Sequence, residues 1–122
     1  MPAGPFISII DDDESMLNAI VGLVRSASYR VRGFSSAEEF LQYGMIGSFV
    51  CIITDIQMPG MSGIELKQHL TERQCQIPVI MITARHDAGL EEQALASGAA
   101  CFLRKPFEAD ELIGCIDRAL GT

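Results

Sequence analysis

The feature that most constrains the fold of this chain is an alternation, repeated along its length, of short apolar runs and stretches with helical spacing. The apolar runs predict strands at residues 6–10, 29–34, 49–55, 77–83 and 99–103. The stretches between and after them predict helices at about 15–27, 36–44, 63–73, 87–97 and 108–120. Ser62, followed three residues later by Glu65, has the form of a capping box at the start of the third helix. Five successive strand–helix units predict an α/β domain in which a doubly wound parallel sheet carries helices on both faces.

The size and charge of the chain narrow its class. Its 122 residues suit one domain, predicted over residues 6–121, after a disordered or extended tail at residues 1–5. A net charge of −7 argues against direct binding to a nucleic-acid backbone. The apolar runs are far shorter than the ~20 residues that span a bilayer, and no signal peptide is recognisable, so a cytoplasmic location without membrane contact is expected. Without a CxxC motif, the four cysteines are expected to be free thiols.

Polar side chains stand where the predicted strands end. Asp11 and Asp12 follow the first strand, Asp55 ends the third, Thr83 ends the fourth, and Lys105 follows the fifth. Because the carboxyl ends of parallel strands share one edge of the sheet, these residues are expected to converge.

This set of groups is suited to phosphoryl transfer. Three close carboxylates repel one another unless a cation joins them, and all-oxygen ligands favour a hard divalent ion such as Mg²⁺, with Mn²⁺ as the alternative. A lysine and a hydroxyl can stabilise the charge of a phosphoryl group, and the Asp55 carboxylate can be the nucleophile, giving an aspartyl phosphate. Ala84 is small enough to leave the phosphoryl group room.

Four motifs, IIDDDE, ITDIQMPGMSG, VIMITAR and CFLRKPF, resemble the receiver domain of bacterial two-component response regulators. The resemblance extends from Phe6 to Leu120 and implies a flavodoxin-like (βα)5 fold with strand order 2-1-3-4-5. The segments SAEEFL, TDIQMPGMSGIEL and KPFEADEL look most similar to receivers of nitrogen-fixation-type regulators, which precede a helix-turn-helix DNA-binding domain.

The resemblance assigns the metal site and the acceptor. It implies that Asp55 is the phosphoacceptor and that Asp12 binds the metal directly. Asp11 would act mostly through water. The backbone carbonyl of Gln57 would complete the metal shell, and the Gln57 side chain would modulate access of water to the phosphoryl group.

The resemblance also assigns the switch. Thr83 and Lys105 would bind the phosphoryl group, and the Lys105–Pro106 peptide bond would be cis. Phe102 would follow Thr83 as the switch aromatic, although a strand phenylalanine is also well explained by core packing. Arg85 would modulate the lifetime of the phosphoryl group and could reach that group or, without metal, one of the acids.

The implied function is a signalling switch that takes a phosphoryl group from a histidine kinase or phosphotransfer protein. Phosphorylation would remodel the face made by the fourth helix, the fifth strand and the fifth helix, and so regulate an output domain or partner, for which transcriptional control is the leading expectation. A phosphorylation-dependent dimer is one form this regulation could take. The chain would catalyse its own phosphorylation and dephosphorylation without being a turnover enzyme.

Two alternatives remain open. A pseudo-receiver would act as a constitutive binding module, but its signature, a missing acid, threonine or lysine, is not found. A phosphohydrolase of the haloacid dehalogenase type would need a second aspartate two residues after Asp55, where this chain has Gln57.

Overall fold

The computed structural model describes residues 6–121, so the predicted tail at residues 1–5 lies outside the described part of the chain. The strands are β1 (Phe6–Ile10), β2 (Arg30–Phe34), β3 (Phe49–Asp55), β4 (Val79–Thr83) and β5 (Cys101–Arg104). The helices are α1 (Glu14–Ser26), α2 (Ala37–Tyr43), α3 (Gly63–Glu72), α4 (Leu90–Ala96) and α5 (Ala109–Leu120), with a 3-10 turn at Ile46–Ser48. All neighbouring strands pair in parallel in the order β2-β1-β3-β4-β5, which confirms the flavodoxin-like fold.

The core consists of two apolar layers, one on each face of the sheet. Successive side chains of a strand point to opposite faces, so Ile53 of β3 belongs to the layer under α1 and α5, and Ile52 belongs to the layer under α2, α3 and α4. Both isoleucines are essentially inaccessible to solvent. Burying such a side chain contributes about 1.5–3 kcal/mol, which explains why β1, β3 and β4 are nearly continuous apolar runs.

Several element boundaries differ by one to three residues from the sequence prediction, and two of these differences have a clear local cause. The fourth helix begins at Leu90 rather than near Asp87, because Gly89 has a left-handed φ of 87° at the N-cap. The fourth strand begins at Val79 rather than at residue 77. The strand begins later because Pro78 has no N–H group to donate to a neighbouring strand. Its carbonyl oxygen still accepts a hydrogen bond from the Ile52 N–H at 2.9 Å.

The expectation that all four cysteines are free is wrong for two of them. Cys101 on β5 and Cys115 on α5 form a disulfide, whereas Cys51 and Cys75 are free. Cys101 and Cys115 are 14 residues apart, a spacing that does not indicate a disulfide in the sequence. The pair forms because α5 packs back onto β5 and brings the two Cα atoms to 6.2 Å, within the ordinary range for a disulfide.

Local hydrogen bonds fix the end of the segment between β3 and α3. Ser62 accepts a hydrogen bond from the Glu65 N–H at 3.1 Å, and the Glu65 carboxylate accepts from the Ser62 N–H at 2.9 Å, which is the capping box predicted by the sequence. The Gly63 N–H donates to the Ile56 carbonyl oxygen at 2.9 Å. The first turn of α3 therefore lies directly against the end of β3.

Among the described residues, no helix is both long enough and apolar enough to cross a membrane.

Gly63→Ala is expected to destabilise the domain by about 1–3 kcal/mol, because the chain is too close there for a side chain. A Cβ on Gly63 would lie 2.5 Å from the Asp55 carbonyl oxygen, so backbone would have to move. Gly22→Ala is the matched control, since a Cβ there meets nothing within 4 Å on α1, and alanine favours helix by up to about 1 kcal/mol. Urea unfolding of both variants is the measurement, and equal losses of stability would contradict the explanation.

Candidate functional site

Three carboxylates meet at the carboxyl end of the sheet, as the sequence predicted. Asp11 and Asp12 directly follow β1, Asp55 is the last residue of β3, and one oxygen from each lies within 4.8 Å of the others. Asp11 is 2% exposed and Asp55 is 9% exposed, whereas Asp12 is open to solvent. The cluster therefore has a buried floor and an open side, so that a small ligand can enter.

Asp11 is held by hydrogen bonds to the neighbouring loop. Its N–H donates to the Phe34 carbonyl oxygen of β2 at 3.1 Å, and its side chain accepts from the Asp13 N–H at 2.9 Å. Asp13 is the N-cap of α1, and its side chain accepts a hydrogen bond from the Met16 N–H at 3.2 Å. The orientation of the first acid is thus fixed before any ligand binds.

Lys105 brings the positive charge to these acids. Its Nζ lies 3.3 Å from an oxygen of Asp11 and 3.7 Å from an oxygen of Asp55, and its side chain is 15% exposed. The backbone of Lys105 is held in place because its N–H donates to the Thr83 carbonyl oxygen at 2.8 Å, which extends the pairing of β4 with β5. The side chain is thereby positioned beside the acids. The Lys105–Pro106 peptide bond is cis.

The hydroxyl group of Thr83 is held by the loop after Asp55. It donates a hydrogen bond to Oε1 of Gln57 at 2.6 Å and accepts one from the Arg85 N–H at 3.0 Å. The Thr83 side chain is inaccessible to solvent, and Gln57 is half-buried. Sequence reasoning placed both residues at the site but gave no sign that they bind each other.

The remaining candidates lie around this centre. Ala84 is exposed at the rim, next to Thr83. The Arg85 guanidinium contacts neither Asp11 nor Asp55 and instead pairs with Asp87 at 2.7 Å on the surface. Phe102 on β5 is half-buried and packs against the core layer of α2, α3 and α4.

Sequence reasoning missed Glu38 on α2. Its carboxylate accepts a hydrogen bond from the Met61 N–H at 2.8 Å and so supports the loop that follows Asp55. The adjacent Gly60 has a φ of 77°, and a Cβ there would lie 2.6 Å from the same carboxylate. Glu38 and Met61 are 23 residues apart on different elements, so local sequence pattern could not pair them.

The environment of Asp55 disfavours its charged form. Burial raises the pKa of Asp55 from an ordinary 3.8 to about 6. The Lys105 ammonium opposes this rise in pKa, whereas the negative charges of Asp11 and Asp12 add to it. A cation bound among these oxygens would relieve both the burial penalty and the repulsion.

Residues 7–117 match the family model described as "Response regulator receiver domain". The chain therefore belongs to the receiver-domain family of response regulators, as the sequence motifs indicated. Response regulators are signalling proteins, so the chain is a signalling module rather than a metabolic enzyme.

Individual relatives agree with this assignment. The chain is 41% identical over 116 residues to "Response regulator protein TmoT" of Ectopseudomonas mendocina, covering 93% of this chain and 52% of that protein. It is 38% identical over 114 residues to "Transcriptional regulatory protein FixJ" of Bradyrhizobium diazoefficiens, covering 93% and 56%. The chain thus spans about half the length of these curated relatives.

Solved structures agree as well. The crystal structure of FixJ-N has a TM-score of 0.87 to this chain at 32% identity, covering 99% of this chain and 96% of that one. The response regulator StyR has a TM-score of 0.89 at 39% identity, covering 98% of this chain and 60% of that one. The fold, the order of the strands and the family are therefore those predicted from the sequence.

Asp55→Asn is expected to raise the free energy of unfolding at pH 8 without divalent cations, by about 1–3 kcal/mol, because a buried charge is removed. The pKa of Asp55 is about 6 in the folded state against an ordinary 3.8. Between these values the folded state binds more protons than the unfolded state, so wild-type stability falls as the pH rises through that window. Asparagine does not titrate, and the difference between the two proteins therefore grows over the same window.

Urea unfolding in EDTA at a series of pH values measures this difference. Asp110→Asn removes the same charge from an exposed position on α5 and is expected to change stability much less. A stability difference between wild type and Asp55→Asn that is independent of pH would refute the explanation.

Proposed function

We propose that this receiver domain is a phosphoacceptor switch in which the Asp55 carboxylate takes a phosphoryl group from the phosphohistidine of a sensor kinase or a phosphotransfer protein. A carboxylate oxygen of Asp55 forms a bond to phosphorus, and the bond from phosphorus to the donor nitrogen breaks. The observation that carries the proposal is the position of the Lys105 ammonium, 3.3 Å from Asp11 and 3.7 Å from Asp55, beside a cluster of three acids.

Asp11, Asp12 and Asp55, together with the backbone carbonyl of Gln57, are proposed to hold Mg²⁺ or Mn²⁺. The donor set fits such an ion, because hard divalent cations prefer carboxylate and carbonyl oxygen and often retain several water ligands. When bound, the ion supplies positive charge for the oxygens of the transferring phosphoryl group.

The residues of the chain supply the rest of the chemistry. Lys105 can pair with a phosphoryl oxygen, since its ammonium already lies at the mouth of the site. Thr83 can donate its hydroxyl hydrogen to another oxygen, and the exposed Ala84 leaves room for the group to enter. Autocatalytic phosphorylation and dephosphorylation follow from this arrangement, without a separate substrate to turn over.

The output surface is proposed to be the face formed by α4, β5 and α5. Phe102 on β5 connects it to the site, because it lies between Cys101 and the strand end that leads to Lys105. The Arg104 guanidinium lies 5.2 Å from the centre of the Phe102 ring and 3.6 Å from the Glu91 carboxylate of α4. A movement of Thr83 and Phe102 would therefore disturb a contact between β5 and α4.

The partner on this face is proposed to be a transcriptional output domain or a second copy of the chain after phosphorylation. Support comes from the relatives, several of which are named as transcriptional regulators and are about twice as long as the matched region. The acidic character of the chain does not favour direct contact with nucleic acid, so DNA binding would belong to the partner. A cytoplasmic location is also proposed, because the chain belongs to the receiver-domain family of response regulators.

A constitutive pseudo-receiver is the second candidate function, and the complete set of acids, threonine and lysine counts against it. A phosphohydrolase is less favoured still, because the residue two positions after the acceptor is Gln57 and its side chain is engaged by Thr83. Neither group of that pair is a carboxylic acid able to protonate a leaving group.

Incubation with acetyl phosphate and Mg²⁺ is expected to add one phosphoryl group to the wild-type protein and none to Asp55→Asn, as measured by intact mass. Removing the divalent ion with EDTA is expected to suppress the gain, because the repulsion of the three acids is then uncompensated. Asp13→Asn is the control, since Asp13 caps α1 and should leave phosphorylation intact. A mass gain by both wild type and Asp55→Asn, or by neither, would refute the proposal.

Arg85→Ala is expected to shorten the half-life of the aspartyl phosphate about two- to fivefold, which corresponds to ~0.5–1 kcal/mol of barrier. Arg85 binds the Thr83 hydroxyl through its N–H, and its exposed guanidinium pairs with Asp87 in the same loop, so that removing the side chain is expected to open this loop to water. Phosphate release after removal of the donor measures the half-life. Asp87→Ala frees the arginine without deleting it and should act in the same direction, and Arg73→Ala at the end of α3 is the control. An unchanged decay rate in Arg85→Ala would exclude that side chain from the site.

A further inference from the structure

The hydroxyl group of Thr83 has its single hydrogen already committed in this structure. The hydrogen is donated to Oε1 of Gln57 at 2.6 Å, while the oxygen accepts from the Arg85 N–H at 3.0 Å. The side chain is fully buried, so solvent does not compete for it. A phosphoryl oxygen on Asp55 can receive this hydrogen only if Gln57 gives it up.

We propose that Gln57 is a positioning residue that latches Thr83 in its resting orientation, and that phosphorylation works by exchanging one acceptor for another on the Thr83 hydroxyl. This inference rests on the proposed function, because it assumes that Asp55 is the acceptor. It adds a residue that sets how readily the switch turns, which is separate from any effect of Gln57 on the access of water.

The backbone segments that carry Gln57 and Thr83 are both held by hydrogen bonds. The Ile56 N–H, next to Gln57, donates to the Ile82 carbonyl oxygen of β4 at 2.8 Å, and the Ile56 carbonyl oxygen accepts from Gly63 at 2.9 Å. Thr83 follows Ile82 on the same strand. The two side chains therefore project from backbone segments that are already bonded to each other, and their hydrogen bond costs little further ordering.

The exchange is favourable only when the phosphoryl group is present. A hydrogen bond to a charged oxygen is roughly twice as strong as one to a neutral amide, so the phosphoryl group displaces Gln57. Gln57 is half-buried, and its freed amide can regain hydrogen bonds to water. Without the phosphoryl group, the hydrogen bond to Gln57 raises the population of the resting Thr83 orientation over the alternative by about two- to tenfold. This is the contribution of an ordinary neutral hydrogen bond.

A double-mutant cycle separates the latch from a role in water access. Gln57→Leu removes the acceptor at similar size, Thr83→Val removes the donor at similar shape, and the two are combined in a third protein. The measurement is the dissociation constant for beryllofluoride with Mg²⁺, a phosphoryl mimic that does not undergo hydrolysis. Gln68→Leu, at an exposed position on α3, controls for the same chemical change elsewhere.

Gln57→Leu alone is expected to tighten beryllofluoride binding about two- to tenfold, because the Thr83 hydroxyl no longer has to leave a partner. In the Thr83→Val background the same substitution is expected to leave the dissociation constant unchanged, and Gln68→Leu should have no effect in either background. Threonine-methyl NMR of the metal-free protein provides the second readout. The three-bond couplings of the Thr83 methyl group should report one χ1 rotamer in wild type, a mixture in Gln57→Leu, and one rotamer again in Gln57→Glu, which keeps an acceptor oxygen.

Three results would overturn the latch. Binding that is not tightened in Gln57→Leu, a change of equal size in the Thr83→Val background, or an unaltered Thr83 rotamer in Gln57→Leu would each do so while wild type still binds beryllofluoride and is still phosphorylated on Asp55. A wild-type protein that does neither would overturn the proposed function, and the latch with it. Cooperative urea unfolding of each variant establishes that the comparison is made between folded proteins.

Discussion

The properties of the functional site depend on electrostatic repulsion among three carboxylates at the carboxyl end of the sheet. Oxygens of three carboxylates lie within 4.8 Å of one another, and the single ammonium of Lys105 lies 3.3 Å from Asp11 and 3.7 Å from Asp55. At an effective dielectric constant of about 20, two unit charges 4 Å apart interact by ~4 kcal/mol, so one lysine does not offset three acids. Burial raises the pKa of Asp55, and the negative charges of Asp11 and Asp12 add to this rise, although the Lys105 ammonium opposes it.

Such a site exists only because its backbone is well supported. Asp55 ends a central strand with neighbours on both sides, and its carbonyl oxygen lies close to Gly63 at the start of α3. Glu38 holds the intervening loop through the Met61 N–H, and the Ser62–Glu65 capping box fixes the start of the helix. The free energy stored in repulsion among the acids is therefore offset by packing and hydrogen bonds nearby, a common feature of functional sites.

The same framework connects the acids to a surface. Thr83 lies at the end of β4, and its carbonyl oxygen binds the Lys105 N–H of the chain that continues β5. Along β5, Phe102 packs into the core, and Arg104 lies over its ring while pairing with Glu91 of α4. Thr83 on β4 is therefore separated by a single neighbouring strand, β5, from the Arg104–Glu91 contact with α4 on the proposed output face.

Sequence alone determined the order of the strands and helices, the convergence of the strand ends and the capping box of α3. It could do so because periodicity, caps and turn residues act over a few neighbours, and because parallel strands necessarily present their carboxyl ends together. The resemblance added the family and the roles of the residues. Tertiary structure alone decided the bond between Thr83 and Gln57, the pairing of Arg85 with Asp87, the contact of Glu38 with the loop and the disulfide of Cys101 and Cys115. Thr83 and Gln57 are 26 residues apart, Glu38 and Met61 are 23 residues apart, and the two cysteines lie 14 residues apart on consecutive elements. These pairs meet because whole elements pack together, whereas Arg85 meets Asp87 through the conformation of a single loop. Neither kind of contact leaves a periodic trace in the sequence.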